Sequence, residues 1–231
     1  MDFFAASPLA LAIVLGVASY LVCGIPFGKI FGKLLGNVDL QQSGSGNIGT
    51  TNALRVAGPK VAVLTLLCDC LKGVFCMNLA RLIISRLCFA GDVSALLSGG
   101  GFDYLMAIIA LACVFGHVFS PYLHFKGGKG IAVGVGVLFG WYWPLALVHL
   151  AIFIVLVALT RIVSVGSIAT AGLVCLTVPL ILPETSLTCH LIWSFLGFVV
   201  VWAHRSNIRK LLAHKESRLS FSKSQDKEGE R

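Results

Sequence analysis

Charge is what this chain has least of. Asp, Glu, Lys and Arg make up 12% of its 231 residues, against about 25% in an average soluble domain. That leaves no room for a separate large soluble domain. The eight cysteines contain no C-x-x-C and no ligand spacing with histidine, so neither a zinc site nor a redox pair is legible. Most lie inside apolar runs, where cysteine behaves as a small hydrophobe. A disulfide between Cys88 and Cys189 is conceivable only if both face the outer side. Residues 1–7 have no basic stretch of the signal-peptide kind, and the apolar run after them is too long for one, so it reads as a retained span. The G-x-x-x-x-G-K-[ST] spacing of a Walker loop is missing as well. No internal repeat is visible, which weighs against a transporter built from inverted repeats.

What is present is apolar. Hydrophobic residues make up 57% of the chain, and the mean hydropathy is +0.91. The reading is an all-α integral membrane protein. Residues 8–29 form the first span, long enough for a hydrocarbon core of about 30 Å. A polar loop follows over 31–60, then spans over 61–84 and 102–119. Residues 131–159 are long for one helix and short for two, with Gly140-Trp141-Tyr142-Trp143-Pro144 in the middle. Aromatics favour the interface and proline interrupts a helix. The net charge of +8 helps to decide. Two short spans there, with the last two over 167–182 and 187–203, put nearly all Lys and Arg on one side, as the positive-inside tendency requires, leaving Arg81, Arg86 and the intramembrane Lys72 as exceptions. That makes seven spans, with the N-terminus outside and the C-terminus in the cytoplasm. Residues 1–212 form one membrane domain. Residues 213–231 are a charged cytoplasmic tail, expected to be disordered or to lie on the surface.

Three polar stretches interrupt the apolar pattern. Residues 43–55 read S-G-S-G-N-I-G-T-T-N-A-L-R. Arg55 offers a planar fork for phosphate oxygens, and Asn47 and Asn52 can hold neighbouring backbone or bind hydroxyls. Residues 125–132 read F-K-G-G-K-G-I-A. Gly127, Gly128 and Gly130 would let backbone N–H groups close on an anion. Lys126 and Lys129 would add charge, and a helix opening at Ile131 would add its dipole. The residues of this loop alone equally allow a basic contact to lipid headgroups. His117, just upstream, is more often a structural histidine than a catalyst. Residues 204–209 read H-R-S-N-I-R, with His204 and Asn207 on one helical face. Ser164 and Ser167 form a weaker fourth element. Within the second span, Asp69 and Lys72 share a face, as a functional pair or a structural one.

The three motifs, in this order and with Asp69-x-x-Lys72-Gly73 between the first two, closely resemble those of the bacterial acyl-phosphate:glycerol-3-phosphate acyltransferases. The resemblance covers nearly the whole chain. Two departures are Ser120-Pro121-Tyr122, where the proline is expected one place earlier, and the long charged tail. Family members are seven-span enzymes of the bacterial cytoplasmic membrane. The resemblance implies transfer of a fatty acyl group from acyl-phosphate to the sn-1 hydroxyl of glycerol 3-phosphate. The products are lysophosphatidic acid and phosphate, in the first acylation of phospholipid synthesis. Consistently, no histidine here has Asp or Glu five residues later, the pattern of the other major glycerolipid acyltransferases.

Carried onto this sequence, the resemblance implies the following roles. Lys126, Gly127, Gly128, Lys129 and Gly130 hold the acyl-phosphate. Arg55, Lys129 and Ser167 hold the glycerol phosphate, with Asn47, Gly49 and Asn52 lining the site. His204 and Asn207 orient the glycerol hydroxyls, and Ser45 lies near the reacting centre. His117, Asp69 and Lys72 support from behind. The donor's own phosphate would take the proton; an acyl-enzyme on Ser45 is the competing mechanism and would need a base beside it. No cofactor or metal is expected. The partners are the two substrates, membrane lipids and conceivably a soluble enzyme that makes the acyl-phosphate; nucleic acid is not among them. The rival reading is a membrane transporter of phosphate or organic anions.

Overall fold

The computed structural model describes residues 7–219, and their regular structure is helical throughout, with no strand among the described residues. Helix α1 (Pro8–Gly24) opens with Ser7 Oγ accepting from Ala10 N at 3.3 Å and with proline at the first helical position, both favourable there. Pro26 separates it from α2 (Phe27–Gly36), which closes on Asn37 in the left-handed region, φ 47°. Short α3 (Thr50–Ala57) and long α4 (Pro59–Cys88) follow, divided by Gly58 at φ 88°. Then come α5 (Asp103–Val118), α6 (Ile131–Trp141), α7 (Trp143–Thr160), α8 (Val163–Ile181), α9 (Leu187–Ala203) and α10 (Arg205–Leu212).

Among the described residues, five helical segments are long and apolar enough to cross a membrane: Pro8–Gly36, Pro59–Cys88, Asp103–Leu123, Trp143–Thr160 and Val163–Ile181. A sixth is counted when α9 and α10, bent by 58° at His204, are taken together. Their outer faces carry Leu159, Leu176, Leu180 and Phe198, 63–80% exposed, as lipid-facing positions should be.

The chain between 131 and 160 does break in the middle. Tyr142 is extended, and Pro144 sits in the first turn of α7. Helix α6 is apolar but has only 11 residues, about 16 Å of rise. Its C-terminus is held by Arg81, whose Nη2 donates to the carbonyls of Gly140 at 2.7 Å and Trp141 at 2.8 Å. Orphan carbonyls at a helix end need such a donor. Arg81, an exception to the charge pattern read from the sequence, therefore has a structural reason to lie away from the other cations.

One expectation is corrected and one open possibility is closed. The polar loop over 31–60 is not a continuous loop: its start belongs to α2 and its end to α3, which pack with α4 around Leu40, Ala53, Val61 and Ala62. The Cys88–Cys189 disulfide is not formed. In the main core, Cys23, Cys76 and Cys113 bring their sulfurs within 4.8 Å of one another, from α1, α4 and α5.

Close helix contact rests on small residues, as is common in membranes. Gly136 of α6 lies directly on the Cys70 carbonyl of α4, so a Cβ there would overlap backbone. Gly134, two residues earlier and so on roughly the opposite side of α6, meets nothing within 4 Å. Gly136→Ala should destabilise the protein by ~1–3 kcal/mol through forced helix separation, while Gly134→Ala should not. Thermal unfolding of both variants in detergent, followed by circular dichroism, checks the difference.

Candidate active site

The serine–glycine–asparagine loop is built around one amide. Asn52 is almost fully buried; its Nδ2 donates to the carbonyls of Leu40 (3.1 Å), Ser43 (3.0 Å) and Asn47 (2.9 Å). Its Oδ1 accepts from Ser45 N at 2.9 Å. Gly44 and Gly46, at φ 62° and 72°, allow the tight course this requires. Asn47 Oδ1 accepts from Gly49 N at 2.9 Å, and the Gly49 carbonyl accepts from Asn52 N and Ala53 N to start α3. Asn52 and Asn47 thus shape the loop through their backbone contacts. Helix α3 then presents Thr50, Thr51 and Arg55 to a cavity of about 390 Å³, which Ser45 also lines.

Behind the cavity lies a buried polar cluster. Lys72 Nζ meets Asp69 Oδ1 at 2.8 Å, donates to the Ile25 carbonyl at 2.9 Å and lies 3.2 Å from His117 Nδ1. An ammonium only donates, so Nδ1 is the acceptor and the proton of a neutral ring sits on Nε2. The glycine loop rests on this histidine. Gly127 N and Gly128 N donate to the Val118 and His117 carbonyls, each at 3.0 Å. A Cβ on Gly127 would overlap the His117 carbonyl, and one on Gly128 would overlap its Nε2.

This corrects the expected roles of three residues. The N–H groups of Gly127 and Gly128 are engaged with α5 rather than free for a ligand. Neither residue lines the cavity, and nor does Lys126, whose carbonyl accepts from Gln41 Nε2 at 3.3 Å. Lys129, Gly130, Ile131 and Ala132 do line it, so the start of α6 meets the cavity. Burial pushes the Lys129 ammonium below the ordinary lysine value. The Glu216 carboxylate pulls it back up, and the Lys210 and Arg55 cations add to the lowering.

The bend between α9 and α10 supplies the remaining wall. His204, 3% exposed, holds its Nδ1 2.8 Å from the Val200 carbonyl. The carbonyl can only accept, so Nδ1 carries the proton and Nε2 of the neutral ring is an acceptor. Asn207, Lys210, Ser164 and Ser167 line the same cavity; Ser167 Oγ donates back to the Val163 carbonyl at 3.0 Å. Thr50 Oγ1 and Asn207 Oδ1 are buried without a hydrogen-bond partner among the described residues. Buried polar atoms seldom stay unpaired, and both residues line the cavity.

Thirteen residues singled out from the sequence therefore line one cavity: Ser45, Asn47, Gly49, Asn52, Arg55, Asp69, His117, Lys129, Gly130, Ser164, Ser167, His204 and Asn207. Lys72 stands behind it. Sequence reasoning missed Glu216, a carboxylate in a segment that looked like a surface tail. It also passed over Thr50, Thr51 and Lys210 as individual residues. Residues 220–231, the rest of that tail, lie outside the described residues.

A second hollow of about 340 Å³ adjoins the first and is almost wholly apolar. The two share Leu66, Gly130, Ile131, Ala132 and Phe153 as walls. It runs among α4, α6, α7, α8 and α9, past His149, which pairs with Thr177 Oγ1 at 2.8 Å.

A family model described as glycerol-3-phosphate acyltransferase matches residues 13–214. A glycerol-3-phosphate acyltransferase of Gloeobacter violaceus is 40% identical over 214 residues, covering 92% of this chain and 96% of that protein. One from Bartonella quintana is 38% identical over 201 residues, covering 87% and 88%. The crystal structure of PlsY (YgiH), an integral membrane glycerol 3-phosphate acyltransferase, in its glycerol 3-phosphate form superposes with a TM-score of 0.76. It is 31% identical, with 90% of this chain and 96% of that one covered.

Removing one partner of a buried ion pair leaves the other charge uncompensated, which costs ~3–5 kcal/mol. Asp69→Asn should therefore lower thermal stability sharply. Combining it with Lys72→Met should recover more of the melting temperature than either substitution alone. Melting curves of the three variants in one detergent check this.

Proposed function

Because the chain belongs to the glycerol-3-phosphate acyltransferase family, and is an integral membrane protein like its members, we propose that acyl-phosphate is its donor and the sn-1 hydroxyl of glycerol 3-phosphate its acceptor. The products are lysophosphatidic acid and inorganic phosphate. One observation carries the reading: a cationic, hydroxyl- and amide-lined cavity shares a wall with an apolar groove among the helices. Two phosphate-bearing heads fit the first and an acyl chain the second.

Acyl-phosphate is a mixed anhydride, so its phosphate leaves readily and no strong enzyme nucleophile is needed. The work is to hold two anions side by side, offset their repulsion, and aim one hydroxyl at one carbonyl. Lys129 and the start of α6 hold the donor phosphate, a helix N-terminus being suited to it. Arg55 offers a bidentate fork to the glycerol phosphate, with Ser167 as a hydroxyl neighbour. His204 Nε2 accepts from a glycerol hydroxyl, and the unpaired Asn207 Oδ1 accepts from another. Ser45, fixed through its N–H to Asn52, stands beside the reacting carbonyl. The C–O bond to the acceptor forms as the C–O bond to phosphate breaks, and the hydroxyl proton leaves with the departing phosphate. Asp69 pairs with Lys72, so it is not poised as a base for Ser45; an acyl-enzyme is therefore disfavoured.

In the membrane, α6 and α7 each count as a crossing, giving seven. The N-terminus lies outside and the cavity faces the cytoplasm of a bacterial inner membrane, where a soluble enzyme could deliver acyl-phosphate. Residues 1–212 act as one domain. An anion transporter is not favoured, since the family is one of transferases.

Purified protein in detergent, given radiolabelled glycerol 3-phosphate and palmitoyl-phosphate, should yield lysophosphatidic acid. Palmitoyl-CoA and palmitoyl-carrier protein should not support it; product from the thioesters alone would overturn the donor. Arg55→Ala and Lys129→Ala should each lower kcat/KM by ~10²–10⁴-fold in protein that still purifies as a single species. The alkaline limb of kcat/KM, which reports groups of the free enzyme, should begin below the ordinary lysine range because Lys129 is held down by burial. Lys129→Arg should move that limb upward.

A further inference from the structure

The family match stops at residue 214, yet the chain continues across the cavity. Helix α10 closes with a turn that sends it there. His214 adopts φ 53°, its N–H bonds the Leu211 carbonyl at 3.0 Å, and Lys215 N bonds the Lys210 carbonyl at 2.8 Å. That is the double hydrogen bond of a reversing helix end. Leu219 N then donates to the Arg161 carbonyl at 2.7 Å, pinning the strap on the α7–α8 connection. Between these anchors Glu216 turns inward. Its Oε1 accepts from Asn207 Nδ2 at 2.7 Å and from Ser164 Oγ at 3.1 Å, and its Oε2 is buried without a partner among the described residues.

We propose that residues 215–219 are a built-in competitor for the anion site, in which the Glu216 carboxylate takes the place of a substrate phosphate and must leave when glycerol 3-phosphate binds. The inference rests on the acyltransferase reading for the identity of that ligand. A phosphate can accept from the donors that Glu216 now occupies, the Asn207 N–H₂ and the Ser164 hydroxyl, and both anions are drawn to the same cavity cations, Arg55, Lys129 and Lys210. They cannot share them. Like charges a few ångströms apart repel by several kcal/mol where water is largely excluded, so a dianionic phosphate and Glu216 bind in alternation. Apparent affinity then falls by the fraction of time the strap is open. Substrate level, rather than a separate regulator, would set how often the site is free.

The test is titration calorimetry of the purified full-length protein in detergent, with glycerol 3-phosphate and, separately, inorganic phosphate. Ionic strength is held constant with chloride, since salt alone loosens such contacts. Glu216→Gln, and a chain ending after His214, should each bind both ligands ~3- to 30-fold more tightly. In the unaltered chain, phosphate should speed tryptic cleavage after Lys215 and Arg218, while glycerol should not. Unchanged or weaker binding in both variants, no binding by any form, or cleavage slowed by phosphate overturns the competition. Acyl transfer is assayed on the same preparations. Tighter phosphate binding without product would reject the reaction and keep the strap; product with unchanged affinity would do the reverse.

Discussion

A lysine ammonium inside a bundle of apolar helices is tolerable only if its N–H groups are met and its charge is balanced. Lys72 satisfies this with three partners on three separate pieces of chain: Asp69 in its own helix, the Ile25 carbonyl at the α1–α2 break, and His117 on α5. The geometry of the cavity is referenced to that cluster. His117 carries the glycine loop, because Gly127 and Gly128 lie against its ring and carbonyl with no room for a Cβ. The loop in turn fixes where Lys129 stands and where α6 begins. Any shift of the ion pair would be passed along this sequence of contacts to the cations that face the ligand.

The same arrangement explains how a chain so poor in charge concentrates it. Arg55, Lys129 and Lys210 arrive from three different elements, each through a short polar segment adjoining an apolar helix. Burial around Lys129 weakens its hold on the proton, and the same low-dielectric surroundings strengthen its attraction for a phosphate. With acyl-phosphate as donor, as proposed above, little more than this would be needed. The neutral, singly tethered His204 fits orientation of a hydroxyl better than strong base catalysis.

Much of this was legible in the sequence. The helical class, the break near Trp143-Pro144 and the convergence of three polar stretches follow from apolar run length, proline chemistry and positive-inside charge. What was not legible came from tertiary contacts. The N–H groups of Gly127 and Gly128 read as an anion cradle until α5 supplied carbonyls to take them. For Asn52 the sequence left backbone support and hydroxyl binding both open, and its amide is engaged by three carbonyls and an N–H around it. Arg81 read as a stray charge because the helix end it caps lies about 60 residues away in sequence. Glu216 read as solvent-exposed because polar composition says nothing about where a helix cap aims the chain.

The wall shared by the two hollows, Gly130 to Ala132, also divides two solvents. One side suits a water-soluble polyol phosphate and the other a hydrocarbon chain. A reaction at that boundary draws one reactant from bulk water and the other from a two-dimensional lipid film. Its velocity would then follow the mole fraction of donor in the leaflet rather than its total concentration. The lipid product could slip sideways into the bilayer without ever being dissolved in water.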